Sequence, residues 1–313
     1  MNKKVISIVA IIIVVLIGGV SLFKGNNSKK ANNVDEVILI EHKYGETEVK
    51  KNPEKVVVLD YGALDIMNAA GIDVVALPKA SLPKYLSEYN DDKYVDIGGL
   101  KEFDMEKINE LNPDLIIIEG RQEEYYEELS KIAPTIGLGT ENTDFLGSAN
   151  KNGEILGKLF NKEEIIGEKL KEIAESLNDV KEKVLNADVD AATVMITDSS
   201  LSVYGEKSRF NMIYNEFGFK INDAGVSDSK HGDSISYEYL LDKNPDYIFV
   251  IDKNAITKTE NTTATDLMNN ELIKKTNAYK NNKIIFLDPE AWYVGGSGIN
   301  SINKRIEEIS NSL

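Results

Sequence analysis

The sequence predicts an α/β protein in which two Rossmann-like lobes are joined by a long rigid helix. Three observations predict it. Short apolar runs alternate with helix-patterned segments in both halves of the chain, the signature of parallel sheets covered by helices. Between the halves, Gly153 to Asn186 has few breakers and keeps apolar residues at helical spacing. A helix–turn–strand unit built on Asn-Pro-Asp occurs twice, at 112–114 and 244–246.

The elements follow in order. Val37–Ile40 and Thr47–Val49 bracket a Gly-containing turn and predict a short hairpin, with His42 on its surface. Val56–Leu59 is a continuous apolar run, as expected of a strand buried on both faces. Ala63–Ala70 is helical, with Gly71 placed just past the end to take a left-handed conformation. Val74–Leu77 is a strand stopped by Pro78, Ile108–Leu111 belongs to a helix, and Leu115–Ile118 is a further buried strand. Tyr125–Ile132 is helical and Pro134 stops it. The connector carries Ile155, Leu159, Ile165, Leu170, Ile173, Leu177, Val180 and Val184 at helical spacing, as one helix or two joined near Asn161. Strand pattern resumes at Ala192–Ile196, Tyr247–Ile251 and Ile284–Leu287. Helices are expected over Phe210–Phe217, Leu267–Leu272 and Gly298–Ile309.

The repeated unit extends beyond Asn-Pro-Asp. Glu106 and Glu238 each stand six residues before the Asn, and Asp104 and Ser236 are N-cap types at matched offsets. Arg121 and Lys253 each stand nine residues after it. The unit reads as a helix, a sharp turn, a buried strand, and a cation at the strand's carboxyl end. Open α/β sheets bind ligands beyond those ends, so Arg121 and Lys253 face a ligand, across a cleft if the lobes oppose each other.

Composition narrows the function. The 313 residues carry 36 Lys+Arg against 52 Asp+Glu, a net charge of −16, which disfavours nucleic acid and adsorption to anionic lipid. With no Cys, the chain has no disulfide, iron–sulfur cluster, thiol nucleophile or acylated cysteine. Two His exclude a His-rich metal cage. No G-x-S-x-G in strand–turn–helix context, H-E-x-x-H or Walker A is present, so the chain reads as a binder and not an enzyme, with a surface hydrolase as a remote alternative.

Val5 to Phe23 is 19 uncharged residues, about 28 Å as a helix at roughly 1.5 Å per residue, close to a bilayer core. Lys3 and Lys4 precede it as in an export signal, but the stretch is long and no A-x-A-like cleavage site follows. An uncleaved single-span membrane anchor is preferred to a cleaved signal. Gly25–Asn33 reads as a flexible tether. The expected division is residues 1–36 for anchor and tether, 37–150 for the first lobe, 151–187 for the connecting helix and 188–313 for the second lobe.

The Val56–Leu59 strand and its following helix, the segment Phe103–Arg121, Val203-Tyr-Gly-Glu-Lys-Ser-Arg209, the loop around His231 and the second Asn-Pro-Asp strand carry a resemblance over most of Val37–Leu313. They resemble the substrate-binding proteins of ABC importers for iron–siderophores, haem and cobalamin, most of all the catecholate, enterochelin-type binders with the class III periplasmic-binding-protein fold. The resemblance implies extracytoplasmic capture of a ferric siderophore and its delivery to a permease dimer, with no chemistry on the ligand. It implies a monomeric body at a Gram-positive-type cell surface. No intrinsic cofactor is implied; Fe(III) arrives inside the chelate. Haem, cobalamin or a hydroxamate siderophore is the alternative ligand within the same fold. Most Gram-positive members carry an acylated Cys, which this chain lacks, so anchorage rests on the apolar span. Lys253 stands where many relatives have Arg, which keeps the charge and loses the bidentate fork.

A ferric catecholate is a compact, oxygen-edged anion and needs several cations in a concave, partly apolar site. Only three Arg exist: Arg121, Arg209 and Arg305. Arg121 and Arg209 are the cleft candidates, with Lys253; Arg305 is assigned to the surface. The alternatives are a rim ion pair of Arg121 with Glu123 or Glu124, and of Arg209 with Glu206. Tyr61 and Trp292 are candidates to offer ring faces to catechols, core packing being the alternative for Trp292. The resemblance implies that His231 and Tyr293 ligate Fe(III), filling the two positions that a tetradentate bis-catecholate leaves open. It also implies one permease-docking Glu per lobe, matched here by Glu106 and Glu238; a carboxylate in a first helical turn is equally explained by the helix dipole.

Overall fold

Val56-Val57-Val58 and Leu115-Ile116-Ile117-Ile118 have no polar face, and every one of these residues is buried. Such strands need cover on both sides and pair in parallel, and these two do, with Val56 opposite Leu115. The computed structural model describes residues 36–313 except 142–143, 228, 230 and 258–262. The apolar span Val5–Phe23 and the tether lie outside the described residues. Among the described residues, no helix is long and apolar enough to cross a membrane.

Strands β1 (Val37–His42) and β2 (Gly45–Lys50) form an antiparallel hairpin. The first main sheet is parallel throughout, in the order β5 (Val95–Asp96), β4 (Ala76–Leu77), β3 (Val56–Val58), β6 (Leu115–Ile118), β7 (Thr135–Gly137). Helices α1 (Tyr61–Ala69), α2 (Met105–Glu110) and α3 (Tyr126–Ile132) lie between its strands in sequence. The chain winds one way from β3 to β5 and the other way through β6 and β7, so its switch point is at the carboxyl ends of β3 and β6.

The connector is two helices. α4 (Phe145–Phe160) ends at Asn161, whose φ of 54° is left-handed, and α5 (Glu163–Ala187) follows. The buried stripe of α5 is Ile166, Leu170, Ile173, Leu177, Val180 and Val184; Ile165, expected on that stripe, is exposed. Gly153 is where the helices touch. A Cβ there would lie 2.7 Å from Leu170 Cδ1, so a larger residue would push them apart.

The second sheet runs β11 (Asp233–Ile235), β9 (Ser200–Tyr204), β8 (Asp190–Thr197), β12 (Tyr247–Asp252), β13 (Ile284–Leu287), with β10 (Lys220–Ile221) also on β8. Its helices are α6 (Met212–Asn215), α7 (Tyr237–Lys243), α8 (Asn254–Thr257), α9 (Ala264–Met268), α10 (Asn277–Lys280) and α11 (Ile299–Ser312). The helix expected over Phe210–Phe217 is only the single turn of α6. The helix expected over Leu267–Leu272 ends at Met268. Strands β9 and β11 interrupt the alternation; they make this sheet mixed, β9 running antiparallel to β8.

The duplicated unit is visible atom by atom. Asn112 and Asn244 both adopt left-handed φ, 47° and 46°. Asp104 caps α2 by accepting from Lys107 N–H, and Ser236 caps α7 by accepting from Tyr239 N–H. The Asp114 carboxylate accepts from the N–H groups of Glu54 and Lys55 at 3.0 and 2.8 Å, just before β3. The Asp246 carboxylate accepts from Asp190 N–H at 3.3 Å, at the start of β8. In each lobe the Asp of Asn-Pro-Asp pins the central strand to its neighbour by accepting from backbone N–H groups at the start of that strand.

The two sheets belong to one compact unit. α11 packs on both α5 and α1, and its N-terminus has no capping side chain of its own. Asp65 of α1 supplies the cap, accepting from Asn300 N–H at 3.1 Å, Asn300 Nδ2 at 2.7 Å and Ser301 N–H at 2.8 Å. Burial, opposed by those donors, pushes the Asp65 carboxyl up to about 6.

Candidate functional site

Asp60 follows β3, Glu119 and Arg121 follow β6, and Gly139 and Thr140 follow β7. All five line one hollow, at the sheet edge the topology selects. The opposite wall comes from the second lobe: Arg209 from the turn after β9, Trp292 to Val294 from the loop after β13, and Arg305 from α11.

The three guanidiniums converge there. Arg121 bonds the Glu119 carboxylate through Nη1 and donates from Nη2 to the Tyr293 carbonyl at 3.2 Å. Arg209 Nη2 donates to that same carbonyl at 2.7 Å, and its guanidinium lies 4.1 Å from the Tyr293 ring centroid. Burial works against the charge of Arg121, but Glu119 outweighs it and holds the group above the ordinary arginine value. Arg209 is lowered by burial, with the Tyr293 side chain opposing and Arg121 adding repulsion. Its Nε is buried without a hydrogen-bond partner.

Arg305 is not a surface residue; it is 3% exposed. It lies on the helix face of Ile302, Ile306 and Ile309, turned inward. Nη2 donates to Ala291 O at 2.6 Å and Gly296 O at 2.8 Å, gripping both ends of the segment that carries Tyr293. The guanidinium lies 4.5 Å from the Phe145 ring and 5.2 Å from Trp292. Burial pushes Arg305 down to about 10. Among the described residues no carboxylate forms an ion pair with Arg209 or Arg305, so the hollow is a cationic spot in an acidic protein.

Trp292 lines the hollow and donates from Nε1 to Glu308 at 2.7 Å. Lys253 Nζ is 5.9 Å from the Tyr293 ring centroid, on the margin of this group. Tyr61 is elsewhere: it is 1% exposed, donates to Pro78 O at 2.9 Å and does not line the hollow. His231 is exposed in the loop before β11, where its N–H donates to Ser229 Oγ at 3.2 Å; among the described residues no contact joins it to Tyr293. Glu106 and Glu238 are exposed in the first turns of α2 and α7. Hydrogen bonds from its own N–H and from Ser236 hold the Glu238 carboxyl below its usual value.

Sequence reasoning missed Asp60 and Glu119. Asp60 caps α1 through Gly62 N–H at 2.8 Å and accepts from Gly139 N–H at 3.1 Å. Burial, helped by Glu119, raises its carboxyl to about 7. Its signal was the Asp before a helix at a strand's carboxyl end. His42 is also corrected. It is 6% exposed, and Nδ1 accepts from Gly137 N–H at 3.1 Å and Tyr44 N–H at 3.2 Å, because the hairpin folds that face onto β7. The neighbouring Lys43 pairs with Glu123 at 2.9 Å, which leaves Arg121 to Glu119.

Two α/β lobes, locked by a shared helix around an arginine-lined hollow, define a solute-binding protein. The chain belongs to the periplasmic binding protein family, whose model matches residues 56–291. It is 41% identical over 318 residues to the petrobactin-binding protein YclQ of Bacillus subtilis, covering 100% of this chain and 99% of that protein. It is 31% identical to the ferric-anguibactin-binding protein FatB of Vibrio anguillarum, covering 87% and 86%. The crystal structure of YclQ aligns with a TM-score of 0.86 at 42% identity, covering 88% of this chain and 98% of that one. The periplasmic catecholate-siderophore binding protein VctP of Vibrio cholerae aligns with a TM-score of 0.84 at 35% identity, covering 88% and 100%.

Proposed function

We propose that this chain captures a ferric catecholate siderophore outside the cytoplasm and delivers it to an ABC permease for iron uptake. The observation that carries the reading is the convergence of Arg121 and Arg209 on one carbonyl, with Arg305 behind them, inside a protein of net charge −16. The half-buried guanidiniums of Arg121 and Arg209 there suit the oxygens of a catecholate chelate, and Trp292 and Phe145 on its wall suit its rings. The names of YclQ, FatB and VctP support the ligand class.

Lys253 adds charge at the rim. Tyr293 is a hard phenol donor for Fe(III), and His231 is the second donor proposed for a bis-catecholate. Glu106 and Glu238 are proposed to meet a permease dimer, one per lobe, and Val5–Phe23 to hold the body at the cell surface. The ligand is bound and handed on without being transformed.

The test is titration of the purified protein with ferric bis- and tris-catecholates, read by visible absorption. A bis-catecholate is expected to give a charge-transfer band that shifts in Tyr293→Phe and in His231→Ala. Unchanged spectrum and affinity in both variants would overturn direct ligation. Failure of any ferric catecholate to bind would overturn the ligand class.

A further inference from the structure

Of the three guanidiniums around the hollow, Arg121 alone among the described residues is held by a carboxylate. Its partner Glu119 lines the hollow too, and Asp60 lies close enough to feel that charge. A site for an anion thus carries an anion of its own on the cation best placed at the β3–β6 switch point. Neither fold nor capping requires that charge. Glu119 does stand at the start of the 3-10 turn Gly120–Tyr125, but its backbone makes the bonds there, the carbonyl accepting from Gln122 N–H at 3.2 Å and the N–H donating to Gln122 Oε1 at 3.1 Å.

We propose that Glu119 is a resident counter-ion, which occupies Arg121 in the empty site and sets how much negative charge a chelate must bring to displace it. The inference rests on the ligand class proposed above. In the empty hollow Glu119 offsets the cost of a half-buried guanidinium. When a chelate arrives, its oxygens compete for Nη1, and Glu119 repels whatever charge the chelate carries. A chelate with more charge gains more from Arg121, Arg209 and Arg305 and is also repelled more by Glu119. The carboxylate therefore compresses the affinity difference between chelates of different charge and keeps the site from holding simple anions.

The experiment compares wild type, Glu119→Gln and Glu119→Asp by fluorescence titration with two probes: the trianionic ferric tris(catecholate) and the monoanionic ferric bis(catecholate). Glu119→Gln leaves the backbone bonds between residues 119 and 122 in place and removes the charge. It is expected to bind the trianion about tenfold tighter, the effect of losing one nearby like charge, with a smaller gain for the monoanion. Glu119→Asp keeps the charge and is expected to show no gain. Equal or weaker binding of the trianion by Glu119→Gln, equal gains for both probes, or a matching gain in Glu119→Asp would overturn the proposal. Wild type that binds neither probe would instead overturn the ligand class.

Discussion

Arg121 and Arg209 belong to different lobes and donate to the same acceptor, the Tyr293 carbonyl, at 3.2 and 2.7 Å. One backbone oxygen thereby holds two like charges side by side across the lobe boundary. The arrangement is stable because Glu119 neutralises one of them and the Tyr293 ring faces the other.

Arg209 has no carboxylate partner among the described residues and, unlike Arg305, is only half-buried, so its charge is the most available to a ligand. Arg209→Ala is expected to weaken ferric-catecholate binding about 10- to 100-fold, the range for losing a charge-assisted hydrogen bond of about 1.5–3 kcal/mol. Arg209→Lys should recover part of it, since the charge returns without the fork. Isothermal titration calorimetry checks both.

Asp65 ties α1 to the first turn of α11 through three donors. Asp65→Ala leaves buried N–H groups unpaired and should cost about 2–4 kcal/mol of stability, more than an ordinary exposed cap. Urea unfolding measures it; a loss under about 0.5 kcal/mol would show that the cap does not bind the lobes together.

Arg305 grips the carbonyls of Ala291 and Gly296 from below. Arg305→Met fills much of the same volume and frees both carbonyls, so the Tyr293 segment loses its brace. The variant is expected to melt lower and to bind ferric catecholate more weakly, whereas Lys304→Met, which removes only the half-exposed pair with Asp288, should bind as wild type.

Stability should depend on pH through groups of opposite sign, His42 on one side and Asp60, with Asp65, on the other. His42 is lowered from 6.5 by burial and then by Lys151, so it is neutral when folded. Its contribution is complete above pH 6.5 and is lost as pH falls through the lowered value, where protonation removes Nδ1 as an acceptor. Asp60 is raised from 3.8 to about 7, so its contribution is complete below pH 3.8 and is lost as pH rises through about 7. Melting temperatures across pH 4–8 should show a smaller acid-side loss in His42→Gln and a smaller loss toward neutrality in Asp60→Asn.

The fold was legible wherever the pattern was local. Val56–Val58 and Leu115–Ile118 declare buried parallel strands by having no polar residue, and the paired Asn-Pro-Asp units declare the duplication. Periodicity also carried information that went unread: Ile40 and His42 share a strand face, and Arg305 shares a helix face with Ile302 and Ile309. A polar residue on an apolar face reads as exposed from sequence alone, although burial depends on what the rest of the chain brings to it. Glu119 and Asp60 were hidden for another reason. Asp60 takes its meaning from Gly139, 79 residues on, which only the assembled sheet puts beside it, and Glu119, though two residues from Arg121, takes its meaning from the hollow that the pair faces. Strands β9 and β11 are short and partly polar, so nothing local marked them.

The most direct test of the account is the fluorescence of Trp292, the only tryptophan, which lines the hollow beside Arg305. Titration with ferric tris(catecholate) should quench it saturably at one chelate per chain, and Arg121→Ala combined with Arg209→Ala should abolish the saturable phase while the protein stays folded. Saturable quenching of unchanged affinity in the double variant would contradict the claim that these two arginines hold the chelate.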